Sequence, residues 1–432
     1  MLKRVNTNEV RLGMFIHKLE GSWFKHPFWK ARFLLEDEDM LDLLRDSAVP
    51  SVIIDTARGD DVQHVRVLET VTASVDEPIR TSARRASFGR ARRSPVSGDR
   101  LPPASSLKAG GVSAAAEFGA ARRAAGRAGH IVNRIFLESR LGKAVAASDV
   151  EPVIEDIYAS IQRNLYAFNG LLRCQQERNY VYGHSLAVSA LMIALARTMR
   201  LTPHDTREAG MAGLLMDIGV GQLPPEAAPD DGDYRRLPVE LQEAHVITGH
   251  ALLKAAGDIP EQVLRVCLRH HERLDGSGYP YGLAGHDLDV LSRMAAVCDC
   301  YDNLVTGHGS ANGIDPADAI NALQAMGPAL DQQVLRHFID TVGVYPIGSF
   351  VRLRSDRIAM VVDEAAADNA KPTVRIFHSL RQGGAVRQAT LVLSQCYGED
   401  DIAGTADPEA LGLGDAGALR EKLLVAAERE AS

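Results

Sequence analysis

Residues 270–280 read His270-His271-Glu272-Arg273-Leu274-Asp275-Gly276-Ser277-Gly278-Tyr279-Pro280: two adjacent histidines, two carboxylates and a glycine-rich turn closed by tyrosine and proline. Imidazole is the commonest metal-ligating side chain, and a neighbouring carboxylate suits a hard cation. Gly276 and Gly278 allow positive φ and Pro280 stops a helix, so the pattern describes a loop at the rim of a metal centre. In isolation, a helix end with surface histidines and a polar turn would look the same. The context in the rest of the chain decides between the two.

Ligands need rigid elements to carry them, and residues 150–342 are helical in pattern almost throughout. Val263, Leu264, Val266, Cys267 and Leu268 repeat at helical spacing and would deliver His270 and His271 in a last turn. Val181, His184, Val188, Leu191 and Leu195 share one helix face, which puts His184 on the buried side. Residues 212–218 form a second apolar helix with Asp217 in its last turn, and residues 239–253 a third that carries His245. Asp299 stands inside the apolar run 291–304. An aspartate buried on such a helix is costly unless it is paired or bound to metal, and Asp217 faces the same cost.

Around this core the composition divides the chain. Residues 1–75 read as a small α/β domain, with a glycine-kinked strand at 10–17, a helix at 38–47, a strand at 52–55 and an aromatic cluster of Trp23, Phe24, Phe28 and Trp29. Residues 76–127 read as a linker: seven arginines and one aspartate stand between Arg80 and Arg100, and an alanine-rich run follows. Leading helices and the bundle fill 128–400, with a hairpin at 350–353 and 358–363 and further strands at 374–377 and 389–393. Residues 401–432 read as a loosely attached tail with a short helix.

Composition excludes some classes. A net charge of -8 argues against a general binder of nucleic acid polymers. Five scattered cysteines without paired spacing suit reduced thiols. No apolar run reaches the ~18 residues of a membrane span, so the expected location is the cytoplasm.

The string HHERLDGSGYP resembles, residue for residue, the signature of the HD-GYP family, bacterial hydrolases of the second messenger cyclic di-GMP within the HD group of metal-dependent phosphohydrolases. LGMFIHKLEGSW, HPFW and SVIIDT are similar to a small domain that often precedes such proteins, and YPIGSFVRL resembles the end of their catalytic domain. The resemblance covers roughly residues 150–400. It implies a mostly α fold, an HD-type helical bundle with a small C-terminal β element, preceded by the small α/β domain. It implies a ligand set of His184, Asp217, His245, His270, His271 and Asp299 for one or two Fe or Mn ions. By the same resemblance Asp217, Glu272 and Asp275 are the catalytic carboxylates, and Arg273, Gly278, Tyr279, Pro280, Arg293 and His308 the nucleotide contacts. The implied partners are cyclic di-GMP, diguanylate cyclase domains reached through the GYP loop, and a second copy in a homodimer.

The sequence also departs from the family. The His-Asp doublet is Met216-Asp217, and a thioether is a weak, soft donor for Fe or Mn. Val220 stands where the family has a lysine, His308 and Ala311 where it has two phosphate-gripping cations, and Tyr180 where three-metal members have a glutamate. Met216, Val220, His308 and Ala311 all remove positive charge or metal affinity from one site. They imply weak or absent hydrolysis, with an inactive cyclic di-GMP receptor or a partner-docking module as the alternative.

Overall fold

The computed structural model describes residues 2–20, 33–35, 41, 45, 51–60, 112–174, 180–223, 238–307, 313–364, 370–396 and 400–431. It divides into an N-terminal unit within residues 1–100 and a larger unit from residue 101 onward.

The N-terminal unit is an antiparallel sheet of β1 (Leu2–Asn6), β2 (Phe15–Glu20), β3 (Phe33–Leu34) and β4 (Ser51–Asp55) in the order β1-β4-β2-β3. Val5, Met14, Ile16, Leu35, Val52 and Ile54 bury one face. The strand expected at 10–17 begins only at Phe15. Thr7–Glu9 is a 3-10 turn, and Gly13 at φ +86 folds the chain back so that its N–H reaches the Leu35 carbonyl. β1 was not legible in the pattern, because Leu2 and Val5 do not alternate. Leu41 and Arg45 are helical, but the rest of the helix expected at 38–47, and the aromatic cluster, lie outside the described residues.

The larger unit opens with α1 (Ala114–Arg140), whose N-terminus is capped by the Ser113 hydroxyl. This helix begins inside the stretch read as linker. Its alanines are not filler: Ala114, Ala121, Ala124, Ala125 and Ala128 are buried beside Phe118 and Val132, so small side chains here permit close helix packing. Then come α2 (Ala147–Arg163), α3 (Ala167–Cys174), α4 (Tyr180–Thr198), α5 (Pro203–Leu215), α6 (Val239–Ala256), α7 (Glu261–Arg269), α8 (Val290–Thr306), α9 (Pro316–Ala325) and α10 (Gln332–Val342). Within α4, Val181–Thr198 is long and apolar enough to cross a membrane, yet 78% of it is buried by the neighbouring helices. It is a core helix.

Five antiparallel strands follow in the order β8-β7-β6-β5-β9: β5 (Phe350–Leu353), β6 (Arg357–Asp363), β7 (Thr373–Ser379), β8 (Gly384–Val392) and β9 (Ile402–Thr405). The segment read as a tail is integral to this sheet. β9 pairs with β5, and α11 (Ala416–Ala431) buries Leu423 and Leu424 while Arg375 holds Glu430 and Arg420 donates to the Gly348 carbonyl. The fold is mostly α with a small C-terminal sheet, as the sequence implies.

Candidate metal centre

Asp217 is placed by a break in helix. α5 ends at Leu215, Met216 caps it, and Asp217 at φ -95, ψ 11 leads into the 3-10 turn Ile218–Gln222 rather than completing a last helical turn. That turn lies directly on α6: a Cβ on Gly219 would stand 2.0 Å from the His245 carbonyl oxygen and 2.6 Å from the Gly249 nitrogen. Only glycine permits this approach, which seats Asp217 beside His245. His270 is the capping residue of α7 and His271 follows it in the turn, one step later than the sequence pattern places them.

Ligand atoms of Asp217, His245, His270 and His271 all lie within 4.8 Å of one another. Asp217 Oδ1 is 3.2 Å from His245 Nε2 and 3.5 Å from His270 Nε2, and the two Nε2 atoms are 3.3 Å apart. The tautomers follow from the partners. His270 Nδ1 faces the carbonyls of Val266 at 3.3 Å and Cys267 at 3.1 Å, and His245 Nδ1 faces that of Gln242. Carbonyls only accept, so each Nδ1 carries the hydrogen and each Nε2 presents a lone pair. Two lone pairs and a carboxylate oxygen converging in a buried pocket repel one another, and a cation between them removes that repulsion. His271 Nε2 is also buried with no hydrogen-bond partner among the described residues. This donor set fits one cation.

Electrostatics agree. Burial, then the neighbouring His270, hold the His271 imidazole well below its ordinary value, so it is a neutral ligand. Burial pushes the Asp217 carboxyl up, but the facing imidazoles of His184, His245 and His270 outweigh it whenever an Nε2 among them carries a proton, and then hold the group well below the usual range. Asp299 is lowered in the same way, burial opposing and His184 and His271 prevailing.

The second side of the centre is held differently. His184 Nε2 lies 3.3 Å from both Asp217 Oδ2 and Asp299 Oδ1, and its Nδ1 donates to Asp302 Oδ2 at 2.7 Å. Asp299 Oδ2 is 3.6 Å from His271 Nδ1, while its Oδ1 accepts from the Asn303 amide at 2.7 Å. All six expected ligands are thus brought together. Met216 is fully buried in the apolar cluster, and its carbonyl accepts from the Cys267 thiol. Asp302 and Asn303 were missed by sequence reasoning. Their spacing, three and four residues beyond Asp299, puts them on its helix face and was the available signal.

The remaining expected site residues divide. Tyr279 stacks on His271 with ring centroids 4.7 Å apart, next to the cis Tyr279–Pro280 peptide. Gly278 is required, since a Cβ there would lie 2.4 Å from the Arg273 nitrogen and the His271 carbonyl oxygen. Glu272 does not reach toward the ligands: its Oε1 accepts from the Tyr281 N–H at 2.8 Å and its Oε2 from the Leu283 N–H at 3.0 Å, so it pins the loop. Asp275 is exposed and accepts from the N–H and hydroxyl of Ser277, which caps the turn. Arg273 is spent on the carbonyls of His270 and Glu272 and on Cys300 Sγ. Arg293 is spent on the carbonyls of Leu288 and Gly285 and on Asp331. Both guanidiniums are held by scaffold groups in this structure. His308 and Ala311 lie outside the described residues.

Comparison with known proteins bears on this arrangement. Residues 164–334 match the HD domain family, and residues 2–150 a domain of unknown function, DUF3391. A cyclic di-GMP phosphodiesterase of Pseudomonas aeruginosa is 35% identical over 412 residues, 95% of this chain and 93% of the relative. A cyclic di-GMP phosphodiesterase response regulator of Xanthomonas campestris is 33% identical over 113 residues, 26% of this chain and 30% of the relative. Among solved structures, a HDG"Y"P protein from Bdellovibrio bacteriovorus aligns over 79% of this chain and 99% of its own at 16% identity and a TM-score of 0.43, too distant a likeness to argue from.

Proposed function

This chain belongs to the HD-GYP family of HD-domain cyclic di-GMP phosphodiesterases, and we propose that it hydrolyses cyclic di-GMP slowly, with one bound cation. The observation that carries the reading is the convergence of Asp217, His245, His270 and His271 beneath an intact GYP loop. Three imidazoles and a carboxylate are a borderline donor set, which suits Fe or Mn. When bound, such a cation supplies positive charge opposite the phosphoryl oxygens and makes water more acidic.

The protein's own residues do the rest. Nδ1–H bonds to backbone carbonyls aim His245 and His270, and the Tyr279 ring covers one face of His271. Glu272 fixes the loop over the centre through two backbone N–H groups. The low rate follows from missing charge. Val220 is apolar and 1% exposed where the family has a lysine, and Arg273 and Arg293 are committed elsewhere. Each absent charged contact to phosphate is worth roughly 1.5–3 kcal/mol, or about one to two decades in rate. The five cysteines are all free, in keeping with a reducing cytoplasm.

The test is incubation of the purified protein with cyclic di-GMP and Mn or anaerobic Fe, followed by chromatography. Slow appearance of the linear dinucleotide or GMP is expected. Intact nucleotide with Mn, Fe and Co alike would overturn the proposal.

A further inference from the structure

Asp217 stands outside any α-helix: it leads into the five-residue 3-10 turn Ile218–Gln222, whose position decides where its carboxylate stands. We propose that Gln222 is a positioning residue for the metal centre, hooking this turn to the C-terminal end of α1 so that Asp217 is held among the imidazoles. The inference rests on the reading of a cation at Asp217, His245, His270 and His271, and adds the residue that keeps that carboxylate in place.

Alone, such a turn holds itself weakly. Its backbone closes through the Val220 N–H to the Asp217 carbonyl at 2.9 Å and the Leu223 N–H to the Val220 carbonyl at 3.1 Å, and 3-10 geometry makes for poor hydrogen bonds. Two neighbours clamp it. On one side Gly219 lies against α6. On the other the turn lies against α1: a Cβ on Gly221 would stand 3.0 Å from Arg140 Cγ and 3.5 Å from Ser139 Oγ. The Gln222 Nε2–H then donates to the Ser139 carbonyl at 2.7 Å. Ser139 lies in the last turn of α1, where carbonyls lack partners inside the helix; its oxygen takes the Gly142 N–H at 3.0 Å and the Gln222 amide on its two lone pairs. That end of α1 is a fixed support. Ser139 is 0% exposed, the Ala114 N–H at the other end is held by Asp363 Oδ2 at 3.0 Å, and Glu117 takes bonds from Arg163 at 2.9 and 2.7 Å. His245 rides on α6 and His270 caps α7, so a shift of the turn would move Asp217 relative to both.

The test titrates Mn into the full chain, stripped of metal beforehand, and reads bound Mn by electron paramagnetic resonance, with thermal melts on each sample. Gln222→Met keeps the length but loses the donor, and Gln222→Ala removes the side chain; both are expected to weaken Mn binding roughly tenfold. Gln222→Lys, which restores an N–H donor to a helix C-terminus, is expected to regain most of it. Arg357→Ala breaks the ion pair with Asp400 in the C-terminal sheet, and is expected to melt lower while binding Mn as wild type does. Wild-type Mn binding by both Gln222→Met and Gln222→Ala would overturn the hook, as would an equal loss in Arg357→Ala. Wild type that binds no Mn would sink the cation reading and the hook with it. Mn binding that weakens with Gln222 while cyclic di-GMP stays intact in wild type would support the hook and sink the hydrolase reading alone.

Discussion

The two sides of the centre use the same residue types and are held in different ways. On the side of His245 and His270, backbone carbonyls take the Nδ1 hydrogens and leave lone pairs pointing at one another and at Asp217. On the side of His184 and Asp299, side chains do the holding: Asp302 behind the imidazole and Asn303 on the carboxylate. The first side brings its ligand atoms within 4.8 Å of one another. On the second, His184 Nε2 still faces Asp217 Oδ2 and Asp299 Oδ1 at 3.3 Å from each. A ligand list from sequence does not distinguish them, because the difference lies in whether backbone carbonyls or side chains hold each group.

The sharpest way to break the comparison is at the residue both sides share. Asp217→Ala should reduce bound metal to background and turnover by about a thousandfold or more, read by metal analysis and chromatography. Metal retained in this variant would mean that the convergent side is not the binding side.

Glu272→Gln should leave metal content unchanged, since Glu272 touches no ligand, but loosen the loop it pins. One of its two acceptor oxygens becomes a donor facing an N–H, so a loss of about 1–3 kcal/mol in stability and roughly tenfold in turnover is expected, checked by denaturant melts and kinetics. Loss of metal in this variant would return Glu272 to the catalytic set.

Acid should separate the metal-free protein's groups in order. His271 is held below its ordinary value by burial and then His270, so as pH falls past about 6.5 the unfolded chain takes a proton that the fold refuses. Stability therefore drops as pH decreases below about 6.5 and is flat above it. Asp217 and Asp299, also lowered, act in the same direction but only below about 4, as the fold's carboxylates are forced to protonate. Melts from pH 8 to 3 of chelator-treated protein check both windows, and a rise in stability on acidification from pH 7 to 5 would contradict the assignment of His271.

The smallest effect on the site is expected from Arg293→Ala. Its ion pair with Asp331 and its bonds to two carbonyls make it a brace, so stability falls by about 1–2 kcal/mol while KM is unchanged. A raised KM would restore it as a phosphate contact.

Most of the centre was legible because helical periodicity and one long motif fix where ligands fall: His184 on the buried face of α4 and Asp299 inside α8 follow from spacing alone. The uses of Glu272, Arg273 and Arg293 were not legible, since a charged side chain beside a motif looks the same whether it points at substrate or at a backbone carbonyl. Asp302 and Asn303 were hidden for a related reason, as polar residues late in a helix also suit a solvated end. At the C-terminus, the strand at 402–405 is too short to show alternation, and only pairing with β5 reveals it. In α1 the alanines that suggested a linker are the contact surface, which composition alone cannot tell apart.

The most direct test of a one-cation centre is metal content of the full chain purified without chelator, with cyclic di-GMP turnover measured on the same sample. The account predicts about one Fe or Mn per chain and slow formation of a linear or monomeric product. Two ions per chain with rapid turnover, or no ion and intact nucleotide, would contradict it.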